Sequence, residues 1–237
     1  VVTVALAAGY LAASAVAWAD ATAVDSTCVE ERPGQTPENF VASWSLEDGP
    51  LVDAAPYRFE AEDVAFESLT PGLGLRAFWA PPPAEGGQVV IVVHGRGSCP
   101  RGAVSLLPAG MLARHGFGVL VMDLRDHGDS DREDGQWAGG IDEWQDVLGA
   151  WQWLRAKGHT AETIGLYGGS MGAGSVAFAM GNEPAVAAGF LDSPYADILS
   201  SSTAYAVARD RPAWIVPGAL FVGGLISGDN LLGDSPA

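Results

Sequence analysis

The sequence predicts an α/β fold with a mostly parallel sheet, helices on both faces and an N-terminal antiparallel hairpin. Between residues 89 and 191, short apolar runs rich in β-branched residues alternate with longer helical patterns. Alternation of this kind is typical of parallel sheets with right-handed crossovers. Two further observations refine the prediction: a pair of strand-like segments precedes the alternating region, and a Gly-x-Ser-x-Gly sequence joins one apolar run to a helical one.

The predicted strands follow from local patterns. Residues 59–68 have the alternating pattern of a strand, Thr70-Pro71-Gly72 predicts a turn, and residues 73–79 predict a second strand that runs back along the first. Together they predict the antiparallel hairpin. Val89–Val93 and Gly118–Met122 are continuous apolar runs, as expected for strands buried on both faces. Two more strands are predicted at residues 163–167 and 187–191.

The predicted helices occupy the segments between these strands. They cover residues 103–115, with a kink at Pro108, then residues 141–157 and residues 171–180. The helix at 141–157 has an apolar face, Asp142 and Glu143 in its first turn, and basic residues in its last. That apolar face consists of Ile141, Trp144, Val147, Leu148, Trp151 and Leu154. The apolar residues 213–226 are predicted to form a pair of helices, either in the core or in a cap over the sheet.

The N-terminal region divides into two further segments before the predicted domain at residues 58–237. Residues 1–19 carry no charge and would form a helix of about 28 Å, close to the thickness of a bilayer core. Small residues at 15–19 resemble cleavage sites. Residues 1–22 are therefore predicted to be a signal peptide or a membrane anchor, with a soluble core helix as the alternative. Residues 23–57 are polar and aperiodic, which predicts a linker or a wrapping arm.

Charge and cysteine content restrict the partners and the compartment. The chain carries 29 acidic and 12 basic residues, a formal net charge of −17. Such a surface repels nucleic acid and anionic lipid, so nucleic acid is excluded as a partner. Membrane association through residues 1–19 remains open. Cys28 and Cys99 fit no metal motif, and they form either one disulfide, favoured by export, or two free thiols.

Polar or turn residues follow four predicted strands: His94-Gly95-Arg96-Gly97, Asp123, Ser170 and Asp192-Ser193. In a parallel sheet these strand ends meet at one edge, where ligands bind. Ser170 lies in Gly168-Gly169-Ser170-Met171-Gly172, between a strand and a helix. A sharp turn at that point exposes a serine hydroxyl beside a helix N-terminus.

Three segments together resemble the α/β-hydrolase fold, of the exported bacterial type. Val92–Ser98 is similar to the family's His-Gly loop, Asp123–Ser130 to its D-x-R-x-H-G-x-S segment, and Gly168–Gly172 to its nucleophile elbow. The resemblance extends from about Tyr57 to the end of the sequence. It implies a serine hydrolase with Ser170 as nucleophile, and oxyanion donors in the backbone N–H groups of Met171 and Arg96. The Arg96 side chain could instead bind a carboxylate of the substrate or of a neighbouring residue.

The resemblance also implies an acid and a histidine that follow the serine along the chain. His115 and His159 precede strands and are expected at the opposite edge of the sheet. His94 and His127 are expected to be structural. Asp192 could act as the acid in a variant arrangement or could cap the turn at Pro194, and Asp123 with Arg125 is expected to form a structural ion pair. We therefore expect the sequence to be incomplete, with the last strands, the acid and the base beyond Ala237.

The function predicted from these residues is hydrolysis of a small-molecule carboxylic ester, thioester or amide through an acyl-enzyme on Ser170. A peptidase-like enzyme or an acyltransferase of the same fold is the alternative, and a noncatalytic binding protein is the second. No cofactor or metal is expected, and the protein is expected outside the cytoplasm, either secreted or anchored in a membrane. Four aromatic side chains could line an apolar substrate pocket: Trp137, Tyr195, Tyr205 and Trp214.

Overall fold

A computed structural model describes residues 2–24, 27–42 and 50–233. Its centre is a six-stranded sheet in the order β1-β2-β4-β3-β5-β6. The strands are β1 (Glu62–Glu67), β2 (Gly74–Ala80), β3 (Val89–Val93), β4 (Gly118–Met122), β5 (Ile164–Gly169) and β6 (Ala188–Asp192). The α-helices are α1 (Val2–Thr22), α2 (Thr27–Glu31), α3 (Ala103–Arg114), α4 (Trp144–Ala156), α5 (Met171–Asn182), α6 (Ile198–Ala208) and α7 (Val216–Ser227).

The sheet is mostly parallel and begins with the predicted hairpin. β1 pairs antiparallel with β2, and β2 pairs antiparallel with β4. The remaining neighbours, from β4 through β3 and β5 to β6, are all parallel. The carboxyl ends of β3, β4, β5 and β6 therefore lie at one edge, as the α/β prediction requires.

The central strands are buried because helices cover both of their faces. Ile91 of β3 belongs to the same buried cluster as Val147 and Leu154 of α4. Its neighbour Val92 points to the opposite face, where it joins a second buried cluster with Leu106 of α3. Successive side chains of a strand alternate between faces, which explains why β3 is apolar at every position.

The helix predicted at residues 141–157 is shorter at its N-terminus than expected. α4 begins at Trp144, so Asp142 and Glu143 do not lie in its first turn. The Glu143 carboxylate instead accepts hydrogen bonds from the backbone N–H groups of Ala138 (2.8 Å) and Gly140 (2.7 Å). These bonds hold the preceding loop in a turn that continuation of the helix would break.

The N-terminal helix packs against the last helix of the described chain. α1 is long and apolar enough to cross a membrane, and only 11% of its most apolar window is buried. Its contact with α7 depends on small residues: a Cβ at Gly223 would lie 2.4 Å from the Trp18 ring, so only glycine leaves room for the indole. Residues 213–226 do not form a helix pair, because a single 3₁₀ turn at Ala213–Ile215 leads directly into α7.

The segment between α1 and β1 contacts the body of the protein. Phe40 is fully buried in the cluster that contains Phe78 of β2. Cys28 forms a disulfide with Cys99, which lies in the loop between β3 and α3. Residues 25–26 and 43–49 lie outside the described residues, and the domain boundaries at residues 22 and 57 stay predictions.

Candidate active site

Ser170 lies at the sharp turn between β5 and α5. Its backbone has φ 54° and ψ −117°, a conformation that residues with a side chain rarely adopt. The Ser170 N–H donates a hydrogen bond to the Asp192 carbonyl at 2.9 Å, which anchors the turn to the end of β6. The side chain is exposed, so its hydroxyl is accessible at the carboxyl edge of the sheet.

The glycines of the Gly-x-Ser-x-Gly sequence are required by close backbone approaches. A Cβ on Gly168 would lie 2.2 Å from the carbonyl oxygen of Gly172. A Cβ on Gly172 would lie 2.5 Å from the carbonyl oxygen of Val93. Any side chain at these two positions would push α5 away from β5 and β3, and Ser170 would lose its position.

The two backbone groups expected to form an oxyanion hole flank Ser170. Met171 is the first residue of α5, where a backbone N–H has no acceptor within the helix. Arg96 follows β3, which pairs with β5 in a register that places Val93 beside Gly168. A Cβ on Gly95 would lie 3.2 Å from the Cβ of Ser170, so this loop passes directly beside the serine. The placement suits both donors, and their catalytic roles stay predictions.

His94 holds the loops around the serine in place. Its Nε2 accepts a hydrogen bond from the Leu124 N–H at 3.2 Å, and its Nδ1 donates to the Gly95 carbonyl at 2.8 Å. Burial, with a contribution from His127, lowers the pKa of His94 to about 3. The ring is therefore neutral, and its 3.8 Å approach to Asp123 is not an ion pair.

The other histidines also leave Ser170 without a base. The His127 ring lies beside the His94 ring, with 4.9 Å between their centres and a tilt of 59°, and its Nδ1 donates to the Arg125 carbonyl. Its Nε2 is buried without a partner. His115 and His159 precede β4 and β5, at the opposite edge of the sheet, as predicted. In the part of the chain that the structure describes, no side chain is hydrogen-bonded to the Ser170 Oγ.

Asp192 is bound by its neighbours rather than by a histidine. Its carboxylate accepts hydrogen bonds from the hydroxyls of Tyr167 and Ser193, each at 3.0 Å. Burial, together with this carboxylate, raises the pKa of Tyr167 to about 12. The contacts give Asp192 a structural task at the end of β6, and a catalytic one stays a prediction.

The predicted ion pair between Asp123 and Arg125 is wrong. Arg125 binds Asp146 of α4 (2.8 Å) and Glu133 (2.7 Å). Asp123 instead accepts the Asp129 N–H at 2.9 Å, and burial raises its pKa well above the usual range. The Arg125 guanidinium instead reaches α4, where it donates to the buried Asp146 carboxylate, and this contact takes the place of the predicted pair.

A cavity of about 670 Å³ opens beside Ser170. Trp137, Tyr195 and Tyr205 line it, as the sequence predicts. Trp214 does not, because it is 65% exposed and stacks on Tyr10 of α1. Sequence reasoning missed two contributions to the cavity. One is the wall formed by α1, whose composition resembles that of a leader, and the other is the pair Arg209 and Arg211, which belong to no motif. The apolar part of the wall comes from α1, α6 and α7: Trp18, Ile198, Ala206, Val216, Ala219 and Leu220.

The cavity shows no sign of a metal centre. Within residues 2–24, 27–42 and 50–233, no group of three or more His, Cys, Asp or Glu side chains could hold a metal ion. The polar groups of the described lining residues include the Ser170 hydroxyl and three arginine side chains.

Comparisons with known proteins support the fold. The sequence profile of the family described as serine aminopeptidase, S33, matches residues 84–226, more than half of the chain. No curated protein matches the sequence. An esterase from Pyrococcus furiosus has a similar structure, with TM-score 0.55 and 23% identity, over 76% of this chain and 67% of the esterase.

Two other solved structures share the fold. The α/β hydrolase GrgF from Penicillium sp. sh18 has TM-score 0.54 and 21% identity, over 75% of this chain and 62% of its own. A puromycin hydrolase has TM-score 0.51 and 22% identity, over 64% of this chain and 24% of its own. The chain spans 60–67% of the length of three structures of the Pyrococcus esterase.

Proposed function

The chain belongs to the serine aminopeptidase S33 family of α/β hydrolases, and from that membership we propose that it hydrolyses carboxylic esters through an acyl-enzyme on Ser170. The observation that carries this proposal is the exposed serine at a strained strand-to-helix turn, with φ 54°. Strain of this kind costs on the order of 1–3 kcal/mol and persists where function needs it.

In the proposed reaction, the Ser170 Oγ attacks the ester carbonyl carbon and forms a tetrahedral intermediate. The N–H groups of Met171 and Arg96 stabilise the negative oxygen, an interaction that is strongest when charge develops. The intermediate collapses to an acyl-enzyme and releases the alcohol, and water then frees the acid and restores the serine. The proton transfers in these steps need an acid and a base, and among the described residues no side chain is hydrogen-bonded to the Ser170 Oγ.

The lining of the cavity supports an ester rather than a peptide substrate. An aminopeptidase must bind the charged α-amine of its substrate, and a carboxylate is the usual partner for such a cation. None of the described residues that line the cavity is acidic. A noncatalytic binding role is disfavoured by the strained turn, because a protein that only binds ligands has no need of it.

A fluorophosphonate probe tests the proposal on the purified full-length protein. We expect covalent labelling that disappears in Ser170→Ala, whereas Ser193→Ala, a matched change at the next strand end, keeps it. Turnover is then compared between p-nitrophenyl esters and aminoacyl p-nitroanilides, and esters should react faster. Absence of labelling in a folded protein would support the binding role, and preference for the anilides would support the peptidase.

We also propose that α1 stays on the mature protein as an anchor outside the cytoplasm. Two observations support this: Trp18 and Ala21 of α1 line the cavity, and the Cys28–Cys99 disulfide suits an oxidising compartment. The test is N-terminal sequencing of the mature protein from membrane and soluble fractions. A mature chain that begins after residue 19 would show that the helix is a cleaved signal peptide.

A further inference from the structure

We propose that the cavity beside Ser170 binds an anionic group, so that the preferred substrates are esters bearing a carboxylate on an apolar chain. This inference rests on the proposed function and deepens it. It draws on the charge of the cavity wall, on two arginines that have no acidic partner among the described residues, and on the apolar surface around them.

The charge of the cavity wall is opposite to that of the protein. The whole chain carries 29 acidic and 12 basic residues. The described residues that line the cavity nevertheless include three arginines and no acid. In a chain of this composition a random patch would be acidic, so the cavity is an isolated positive region that attracts anions and concentrates them near Ser170.

Arg96 provides the first of these charges. Its backbone belongs to the loop that passes beside Ser170, and its guanidinium lies 4.9 Å from the centre of the Trp137 ring and 5.4 Å from that of Tyr205. No described carboxylate lies within ion-pair distance of it. Stacking on aromatic faces fixes the orientation of the guanidinium plane, while its N–H groups remain able to donate at the edge.

The second charge is that of Arg209, which lies at the C-terminal end of α6. Its guanidinium lies 4.4 Å from the centre of the same Tyr205 ring. Both guanidinium groups therefore lie close to the Tyr205 ring, and the distance between them is at most the sum of their two distances from its centre. Arg209, too, has no carboxylate partner among the described residues, whereas Arg211, the third arginine, is bound to Asp20 of α1.

Two arginines that share one aromatic ring, and that have no carboxylate partner within the described part of the chain, suit a carboxylate ligand. A guanidinium offers parallel N–H donors that match the two oxygens of a carboxylate, and such charge-assisted bonds are about twice as strong as neutral ones. The wall beyond the arginines, formed by Trp18, Ile198 and Leu220, suits the hydrocarbon part of the same molecule. The combination favours an apolar chain with a terminal acid over a neutral lipid-like ester.

The test compares charged and neutral esters of equal shape. Mono-p-nitrophenyl glutarate and p-nitrophenyl valerate differ only in a terminal carboxylate or methyl group. The valerate esters of 4-hydroxybenzoate and 4-hydroxybenzamide place the same contrast on the alcohol side. In at least one pair, we expect the charged ester to have the higher kcat/KM, and the ratio of charged to neutral to fall as salt screens the charges.

Variants at the arginines assign this preference to named side chains. Arg96→Gln and Arg209→Gln should each lower the charged-to-neutral ratio about tenfold, which corresponds to about 1.4 kcal/mol. Because the ratio is taken within one variant, a general loss of activity cancels. Arg155→Gln is the matched control, because Arg155 also lies over an aromatic ring, at 5.5 Å from the centre of Trp151 of α4, but is not among the residues that line the cavity. It should leave the ratio unchanged.

Binding measurements separate this inference from the proposed function. With Ser170→Ala, calorimetry should show that valerate, which is charged, binds more tightly than the neutral valeramide, and Arg209→Gln in that background should remove the difference. If the protein hydrolyses no ester but keeps this arginine-dependent binding, the anion site stands and the proposed function fails. If it hydrolyses both members of each pair equally, and neither arginine changes the ratio, the anion site is overturned and the hydrolase stands.

Discussion

Removal of the Asp146 carboxylate is expected to destabilise the protein more than any change at its surface. Asp146 is fully buried, and its two oxygens accept hydrogen bonds from the Arg125 backbone N–H, the Arg125 guanidinium and the Ser68 hydroxyl. The Arg125 side chain is only 4% exposed, so Asp146→Ala would leave a buried cation whose second partner, Glu133, lies near the surface.

The magnitude follows from the burial of both charges. Loss of one partner of a buried ion pair costs about 3–5 kcal/mol, because the remaining charge is neither hydrated nor compensated. Replacement of both partners by apolar residues of similar volume is often close to neutral. We therefore expect Asp146→Ala to lower the free energy of unfolding by about 4 kcal/mol, and the double variant Arg125→Met with Asp146→Leu to recover most of that loss.

The assay is urea unfolding followed by circular dichroism, with the exposed Asp63→Ala as the matched control. Asp63→Ala should change the free energy of unfolding by no more than about 0.5 kcal/mol. The reasoning is refuted if Asp146→Ala costs less than about 1 kcal/mol, or if the double variant is as unstable as the single one.

Three further predictions concern strain, pH and the disulfide. In urea unfolding, Ser170→Gly should be more stable than Ser170→Ala by about 1 kcal/mol, because glycine adopts the positive φ of this turn without strain. Equal free energies of unfolding would show that the turn is not strained. Burial raises the pKa of Glu143 to about 7, so the stability that its protonated form contributes is complete below about pH 4.5 and is lost as pH rises through 7. Glu143→Gln should therefore reduce the dependence of the free energy of unfolding on pH between pH 5 and 8. An unchanged pH dependence in this variant would exclude Glu143 as its cause. Replacement of Cys28 and Cys99 by serine opens a loop with a sequence separation of 71 and should cost about 4 kcal/mol in thermal or urea unfolding, whereas a loss below about 1 kcal/mol would argue against the crosslink.

Local patterns predicted the elements of the sheet well. Val89–Val93 and Gly118–Met122 are strands with the predicted bounds, because a run of β-branched residues satisfies both faces of a covered sheet. The start of α4 was placed three residues early. The acids at 142 and 143 have the composition of a first helical turn, whereas Glu143 is used to bind the N–H groups of the preceding loop.

Residue types at short spacing were enough to predict the family, the succession of strands and helices along the chain, and the position of Ser170 at a strand-to-helix turn. The order of the strands within the sheet and the contacts between distant side chains are known only from the tertiary structure. It paired Arg125 with Asp146 rather than with Asp123, placed Trp18 in the wall of the cavity, and brought Arg96 and Arg209 to the same tyrosine ring. These contacts join segments far apart in the chain, and no local pattern encodes them, because they depend on how whole helices pack on the sheet.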